Sequence, residues 1–319
     1  MFTRSALIYM GQRLLLIGFT TVAVSSLVFI GVHQLPGNAF ISDRKINPGA
    51  LAALLHHYNL DLPLWDQYKL FVIGIFHGNL GESVINRGVQ ITPLLLREAT
   101  VSAEVGGVAL LFTIGFGVLL GVIAAIRQNT WVDYLATTTS VIGFSMPNFV
   151  IASALLVIFG VYLYNLTNGA IYYDIGWNGT YGTLGQLPIP AFALGFPYAS
   201  IVARLTRASM LETIKQDYVR TARAKGLTNH VVIIRHALRN ALIPVVTILG
   251  PLVLGIITGS VVIENIFGIP GLGKEFVESI LNRDYNIVIG VFTFYAGLIG
   301  LANLLVDMLY TVIDPRIRY

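Results

Sequence analysis

The chain has 319 residues, of which 55% are hydrophobic and 11% are charged, and its formal net charge is +4. Soluble domains carry about 25% charged residues, so much of this chain must face lipid and not water. The absence of cysteine excludes disulfides and thiolate metal sites, and no other metal cluster is predicted.

Six apolar stretches are long enough to cross a membrane, since about 20 helical residues span the roughly 30 Å hydrocarbon layer. We interpret the first stretch as a retained anchor, because its apolar run is too long for a signal peptide and no clear cleavage site follows it. The fourth stretch is short and must carry Arg204 and Arg207 at its end. The sequence therefore predicts an all-α membrane protein with spans near residues 9–32, 102–126, 134–163, 190–212, 241–263 and 286–312.

The distribution of lysine and arginine predicts the orientation, because short cytoplasmic loops carry an excess of both. The connection between the third and fourth spans has neither residue, and both termini are basic. The connection between the fourth and fifth spans, with its helix ends, is strongly basic: Arg204, Arg207, Lys215, Arg220, Arg223, Lys225, Arg235 and Arg239. We therefore expect a multi-pass protein of a bacterial or archaeal cytoplasmic membrane, with both termini in the cytoplasm.

Three segments follow from this topology. Residues 1–33 form the first transmembrane helix, and residues 34–100 form an external segment too small for a large core of its own. Residues 101–319 form the transmembrane core domain, with a cytoplasmic loop at 213–240.

Proline residues inside two spans are candidate hinges. Pro147 follows Ser145-Met146 in the third span, and Pro244 and Pro251 lie in the fifth. Proline removes a backbone hydrogen bond and bends a helix, while the glycines near it permit close helix packing. Packing alone and a moving gate helix are both open interpretations.

A near match to a phosphate-binding loop lies at Gly268-Ile-Pro-Gly-Leu-Gly273-Lys274-Glu275. Glu275 replaces the hydroxyl that would hold magnesium, and the segment follows a membrane helix instead of a buried strand. It also falls on the external side, where ATP is absent. The chain is therefore not expected to bind nucleotide or hydrolyse ATP.

The basic cytoplasmic loop contains a short predicted helix of about two turns. Asp217 is a suitable N-cap and Gly226 a suitable stop. Tyr218, Val219, Ala222 and Leu227 give this helix an apolar side too small for a core. Such a face favours a partner protein, although a helix on anionic headgroups is the alternative.

This loop resembles the coupling motif of ABC importer permeases. The strings Tyr218–Leu227 and Arg235–Pro244 are similar to the form found in the peptide-import branch, in which arginine and threonine replace the first part of the usual motif. The resemblance implies contact with an ATPase subunit by Asp217, Tyr218, Val219, Arg220, Thr221, Ala222, Arg223, Ala224, Lys225, Gly226 and Leu227.

The resemblance covers nearly the whole chain. Further matching strings are Leu35–Asn38, Leu60–Pro63, Gly78–Ser83, Ser145–Phe149, Glu264–Gly273, Arg283–Tyr285, Asp307 and Asp314–Arg316. The chain is identified as similar to the dipeptide/oligopeptide ABC transporter permeases, B-type subunit. Nickel and glutathione permeases share this pattern, so the strings do not fix the substrate.

The resemblance implies a machine that works by alternating access. Its other parts would be a C-type sister permease, an external substrate-binding protein and two cytoplasmic ATPase subunits, which hold the ATP and Mg²⁺. This chain would need no cofactor, would lie in membrane lipid and would bind no nucleic acid.

The turn after the fifth span is the candidate external gate, formed by Glu264, Phe267, Gly268, Pro270, Gly271 and Gly273. Its glycines and proline predict a tight turn that moves when the span bends. Glu264 is expected to pair with a sister subunit or with Lys274. Asp307, near the inner end of the sixth span, is expected to form an ion pair with a loop arginine.

Two other classes of function remain as alternatives. An ion-coupled transporter or channel needs carboxylates or histidines in the middle of its spans, and only Glu104 and Asp307 are candidates, neither of them central. A membrane enzyme needs a catalytic set on one membrane face, and none can be assembled from this sequence.

Overall fold

The computed structural model describes residues 4–34, 48–170, 177 and 185–313, and within these residues the secondary structure is helical. The first eight helices are α1 (Arg4–His33), α2 (Pro48–His57), α3 (Leu64–Phe76), α4 (Ile91–Ile126), α5 (Trp131–Ser145), α6 (Asn148–Val157), α7 (Leu163–Leu166) and α8 (Pro188–Thr213). They are followed by α9 (Asp217–Ala224), α10 (Asn229–Val231), α11 (Arg239–Ala241), α12 (Ile243–Thr247), α13 (Leu249–Phe267), α14 (Leu272–Leu281) and α15 (Tyr285–Ile313). Short π-helical segments join α6 to α7 and α10 to α11.

Six of the described helices are long and apolar enough to cross a membrane, which confirms the predicted number of spans. They are Ile8–His33, Ile91–Ile126, Asn148–Leu166, Pro188–Thr213, Leu249–Phe267 and Tyr285–Met308. The prediction that α8 carries Arg204 and Arg207 near its end is also confirmed.

Three spans differ from their predicted form. α4 begins at Ile91, so about its first ten residues belong to the stretch predicted as external. The third span is broken and not merely bent, because Met146 has an extended backbone between α5 and Pro147, which starts α6. The fifth begins as the short helix α12 and becomes continuous only in α13. Proline excludes the helical bond and constrains the residue before it, which explains the break at Pro147.

The described chain divides into two compact units. The first comprises the described residues of Met1–Val101 and Pro270–Met308, and the second those of Ser102–Ile269 and Leu309–Pro315. The predicted boundary at residue 100 is not tested by this division.

Small residues allow close helix packing in the second unit. A Cβ added at Gly121 of α4 would lie 2.5 Å from the carbonyl oxygen of Ala203 on α8, and one at Gly195 would lie 2.7 Å from that of Ala109. Helices that approach this closely gain dispersion contacts, which is how spans associate in lipid. The inward face of α8 is accordingly built mainly from alanine, glycine, serine and threonine.

The first unit has a conventional apolar core. Ile91 and Leu95 of α4 pack against Ile287 and Val291 of α15, and Leu272 of α14 closes the same cluster. A second cluster joins the C-terminal part of α1 to α15 and α3. The first cluster therefore holds α14 and α15 against the first turns of α4, and the second holds α1 and α3 against α15.

Asp307 forms the predicted ion pair, but its partner is on a helix and not in a loop. Its carboxylate Oδ2 lies 2.7 Å from Arg13 Nη2, and it also accepts a hydrogen bond from the Tyr9 hydroxyl at 3.1 Å. Arg13 Nε donates to the same hydroxyl at 2.9 Å. The start of the first span and the end of the last span therefore lie together, as they must if both termini are on one side.

Candidate coupling and gating sites

The short basic helix is present as α9, with one difference at its start. Gln216 has an extended backbone and is the N-cap, although its side chain makes no capping hydrogen bond. Asp217, predicted as the N-cap, is instead the first helical residue. Its negative charge still favours the positive end of the helix dipole at this position.

The end of α9 is as predicted. Gly226 adopts a left-handed backbone with φ of 78°, and its N–H donates to the carbonyl oxygen of Arg223 at 2.9 Å. A side chain at this position would be strained, because only glycine adopts this conformation at little cost. The glycine thus terminates the helix and sets the direction of the chain that follows.

The apolar side of α9 is mostly covered by this chain itself, which corrects the expectation that it awaits a partner. Val219 and Ala222 are buried against Val232 of the following π-helical segment. Tyr218 and Leu227 keep 42% and 40% of their surface exposed. A charge at Ala222 would therefore disrupt this contact inside the protomer and would not test coupling.

The outward side of α9 is polar and carries most of the predicted coupling residues. Its exposed members are Asp217, Tyr218, Arg220, Thr221, Arg223, Ala224, Lys225, Gly226 and Leu227. The Tyr218 hydroxyl accepts a hydrogen bond of 2.8 Å from Asn240 Nδ2, which links the two matching strings of the loop. The exposed face is therefore held in place by contacts of its own chain.

A packed cluster connects α9 to the spans. Ile233, Ala237 and Ala241, which follow α9 in sequence, pack against Met210 of α8 and Ala125 of α4. Because the same segment also covers Val219 and Ala222, a displacement of α9 must be accommodated by this cluster or by the ends of α4 and α8.

An ion pair that the sequence analysis missed fixes α8 against α5. Arg207 donates through Nε to Asp133 Oδ1 at 2.6 Å and through Nη2 to Asp133 Oδ2 at 2.7 Å. The Asp133 side chain is only 3% exposed, and its Oδ2 also accepts the backbone N–H of Asn129. The sequence does contain a signal for this pair. An arginine inside a predicted span requires a counter-charge nearby, and Asp133 flanks the predicted third span.

The candidate hinges occupy interruptions and helix starts. Pro147 starts α6 after the break in the third span, Pro244 is the second residue of α12, and Pro251 lies in the first turn of α13. Pro197, inside α8, was not singled out from the sequence. These positions are compatible with hinges, and the hinge role stays a prediction.

The candidate gate is a defined turn. Gly268 ends α13 with φ of 67°, and the N–H of Ile269 donates to the carbonyl oxygen of Glu264 at 2.9 Å. Gly271 then starts α14 with an extended backbone. Of the predicted gate residues, Glu264, Phe267, Gly271 and Gly273 are buried, Pro270 is half-buried and Gly268 is exposed.

The carboxylate of Glu264 is buried within the protomer. The side chain has no exposed surface there, and its pairing with a sister subunit or with Lys274 stays a prediction. The ammonium group of Lys274, the other predicted partner, lies 3.6 Å from Glu278 of its own helix. Gly268 and Asn265 of the same turn are exposed.

Two of the matching strings meet around Asp284. This buried carboxylate accepts hydrogen bonds from the hydroxyl of Ser83 and from the backbone N–H groups of Val84 and Ile85. It also accepts the N–H of Ile287 in the first turn of α15. The Asp284 side chain thus caps α15 and holds the loop of the first unit that contains Ser83.

The comparisons with known proteins agree with this architecture. Residues 117–319 match the family model of the binding-protein-dependent transport system inner membrane component. The chain is 41% identical over 310 residues to the dipeptide transport system permease protein DppB of Bacillus subtilis (strain 168), with 97% of each chain covered. It is 40% identical over 291 residues to the oligopeptide transport system permease protein OppB of Haemophilus influenzae, with 91% of this chain and 92% of that protein covered.

A solved structure supports the fold alone. The crystal structure of an amino acid ABC transporter with histidines matches with a TM-score of 0.51 and 15% sequence identity, over 71% of this chain and 95% of that chain. The chain belongs to the family of inner-membrane components of binding-protein-dependent transport systems. It is a multi-pass membrane transport component, as the resemblance predicted.

Proposed function

We propose that this chain is a permease subunit of an ATP-driven importer that moves di- or oligopeptides across the cytoplasmic membrane. The relatives cover 97% and 91% of the chain at about 40% identity and are named for dipeptide and oligopeptide transport. The structural observation that carries the coupling role is α9, a helix whose apolar side is anchored on its own chain while its polar side faces outward.

The proposed orientation places α9 and both termini in the cytoplasm. It is supported by the lysine and arginine bias of the connections and by the pairing of Arg13 with Asp307. The chain contains no cysteine, so single cysteines can report sidedness. Asn86 and Arg223 are suitable because both are exposed, whereas Ser83 is buried and the predicted external Asn178 lies outside the described residues.

In intact cells, an impermeant thiol reagent is expected to label N86C but not R223C. After the cells are opened, both positions are expected to react. Labelling of R223C from outside would refute the orientation.

ATP and Mg²⁺ are proposed to bind to two partner ATPase subunits and not to this chain. Closure of the ATPases would move α9, and the cluster around Met210 would pass this movement to α4 and α8. A partner shifts such an equilibrium only if it contacts the two states unequally. The exposed residues of α9 are the contacts proposed to differ.

The turn at Glu264–Gly273 is proposed to close the outer pathway in the inward-facing state and to contact the docked binding protein. Support comes from its position at the end of α13, whose first turn contains Pro251. A cysteine at exposed Asn265 avoids the left-handed backbone of Gly268 and tests the gate. Crosslinking to the equivalent loop of a sister permease should form without ATP and should block transport reversibly. Efficient crosslinking with undiminished transport would leave only a static turn.

Reconstitution tests the proposed function. The chain, a sister permease, the two ATPases and the binding protein would be assembled in proteoliposomes and supplied with labelled di- and oligopeptides. We expect uptake that requires ATP and the binding protein and that persists when ionophores remove ion gradients. Uptake of nickel or glutathione instead of peptides would change the substrate, and ATP-independent uptake driven by an ion gradient would refute the class.

A further inference from the structure

The helix α3 carries apolar side chains on both of its faces. Its inner face packs on the first span, where the ring of Phe29 lies 5.5 Å from that of Tyr68 and 5.7 Å from that of Phe71. Its outward face also exposes large apolar side chains, with Leu64, Trp65, Leu70, Ile73 and Phe76 between 49% and 75% exposed and the exposed Lys69 among them. Exposed apolar side chains grouped in this way mark an interaction site.

The depth of α3 follows from its contacts with α1. The Tyr68 hydroxyl lies 2.7 Å from the Ser26 hydroxyl, and His33 Nε2 lies 3.3 Å from Gln67 Oε1. Ser26 and His33 are separated by about 10 Å of helix, so α3 lies beside the last two turns of the span. From Arg13 to His33 the helix extends about 30 Å, which is the thickness of the hydrocarbon layer. α3 is therefore level with the membrane boundary.

A groove of about 480 Å³ lies between α1 and α3. It is lined mainly by apolar and aromatic side chains: Ser26, Phe29, Ile30, His33, Gln34, Leu64, Trp65 and Tyr68. Leu27 and Ile30 on α1 are 71% and 52% exposed, as expected for the lipid-facing side of a span. The groove continues this lipid-facing surface, and the outward face of α3 adds apolar side chains one helical turn to either side of the exposed Lys69.

The polar groups of α3 are those found where protein meets headgroups. Lys69 Nζ lies 5.6 Å from the centre of the Trp65 ring and 2.9 Å from Asp66 Oδ1. Tryptophan is enriched at membrane interfaces, and lysine extends its ammonium group to water from an apolar position. This pattern favours a lipid surface over a protein partner as the occupant.

We propose that α3 is an interfacial helix whose outward face is embedded in the phospholipid bilayer, and that the groove between α1 and α3 holds a phospholipid acyl chain. The aromatic contacts of Phe29 then transmit the position of α3 in the bilayer to the outer end of the first span. This proposal requires only that the chain is a membrane protein. It does not depend on which substrate is transported.

Spin labelling tests the embedded face. A label at I73C, on the outward face of α3, is compared with one at N86C, in an exposed polar loop of the same unit, in complexes whose other subunits lack cysteine. In phosphatidylcholine and phosphatidylglycerol vesicles, the I73C label should collide with molecular oxygen more often than with a water-soluble nickel complex. The N86C label should show the opposite ratio. A water-like ratio at I73C, or a label that neither reagent reaches because protein covers it, would overturn the proposal.

Photocrosslinking tests the groove. A benzophenone maleimide attached at L64C, which lines the groove, is irradiated in the reconstituted complex, and the adducts are identified by mass spectrometry. We expect an adduct whose added mass is that of a phospholipid, at a yield several-fold above that of the N86C control. Adducts on another polypeptide, or a lipid yield equal to the control, would contradict lipid occupancy.

Discussion

Two short helices of this protein, α9 and α3, are built alike but present opposite surfaces. Each packs one apolar face on its own chain, α9 on the π-helical segment that follows it and α3 on α1, and each is followed by a glycine in the left-handed conformation, Gly226 after α9 and Gly78 after α3. The outward face of α9 is polar and charged, whereas that of α3 exposes large apolar side chains. The way in which they are anchored therefore does not distinguish the two helices, whereas their outward faces do: the face of α9 suits the proposed ATPase partner, and that of α3 suits the proposed lipid.

The largest expected effect comes from the two glycines. In both, the N–H donates to a carbonyl of the preceding turn, at 2.9 Å in Gly226 and 3.0 Å in Gly78. Proline would remove this donor and hold φ at about −65° in both cases. We expect Gly226→Pro to abolish transport while the chain still inserts, and Gly78→Pro to retain most of it. Transport by the two variants would be measured in complexes that contain equal amounts of this chain. Equal losses of transport would contradict the proposed difference between α9 and α3.

The next largest expected effect concerns the ion pair between Asp133 and Arg207, which holds α8 against α5. The segment that follows α9 packs against α8. Replacing Asp133 with Asn leaves Arg207 without its buried counter-charge, and breaking such pairs costs about 3–5 kcal/mol. The control is Asp66→Asn on α3, where the pair with Lys69 is about half exposed and is worth about 1 kcal/mol or less. Thermal unfolding in detergent should show a large loss for the first variant and little change for the second. Similar losses would mean that the Asp133 pair is solvated.

A carboxylate placed on the outward face of α9 should have a different effect from one placed on the outward face of α3. Thr221→Asp adds a carboxylate to the exposed face of α9, and Ile73→Asp adds one to that of α3. We expect the first to reduce co-purification of the ATPases with no loss of thermal stability. The second should destabilise the chain by about 1–3 kcal/mol, because a charge in the bilayer is costly but less so near the interface. ATPase recovery that falls only with Ile73→Asp would reverse the assignment of the two faces.

The smallest expected effect concerns a third short helix, α14, in which the side chain of Glu275 is partly buried. Burial raises the pKa of Glu275 above its ordinary value of 4.5, and the negative charges of Glu278 and Asp284 act in the same direction, while a hydrogen bond with Glu98 opposes them. Since the folded state favours the protonated acid, this group reduces stability as the pH rises through the raised pKa.

Glu275→Gln should therefore increase the melting temperature by a few degrees at pH 8 and have little effect at pH 5. Glu278→Gln, which alters a half-exposed carboxylate on the same helix, serves as the control. A gain that is the same at both pH values would show that charge at Glu275 is not responsible.

Much of the fold could be predicted from local properties. The six spans follow from the length of apolar runs, and the end of α9 follows from the freedom of Gly226 to adopt a positive φ. The start of α9 was misplaced by one residue, because the choice between Gln216 and Asp217 as N-cap depends on where the backbone becomes extended. The break at Met146 was underestimated, since a proline alone does not state whether a helix bends or stops.

The sequence could not predict which distant side chains would contact each other in the folded protein. Asp307 was expected to find an arginine in a loop and instead pairs with Arg13 on α1. Asp133 and Arg207 are far apart in sequence, and only the packing of α5 on α8 brings their side chains together. The same holds for Asp284, whose role depends on a loop around Ser83 that precedes it by about 200 residues.

The sequence by itself determined the class of protein, the number of spans and the position of the short basic helix, because hydrophobic length, charge and glycine conformation act over a few neighbouring residues. The tertiary structure decided which faces are used. It showed that Val219 and Ala222 are covered by Val232, that Glu264 is fully buried, and that α3 and α1 expose large apolar side chains beside the groove between them. An apolar face has the same sequence pattern whether its own chain, a partner or a lipid covers it, and only the fold distinguishes the three.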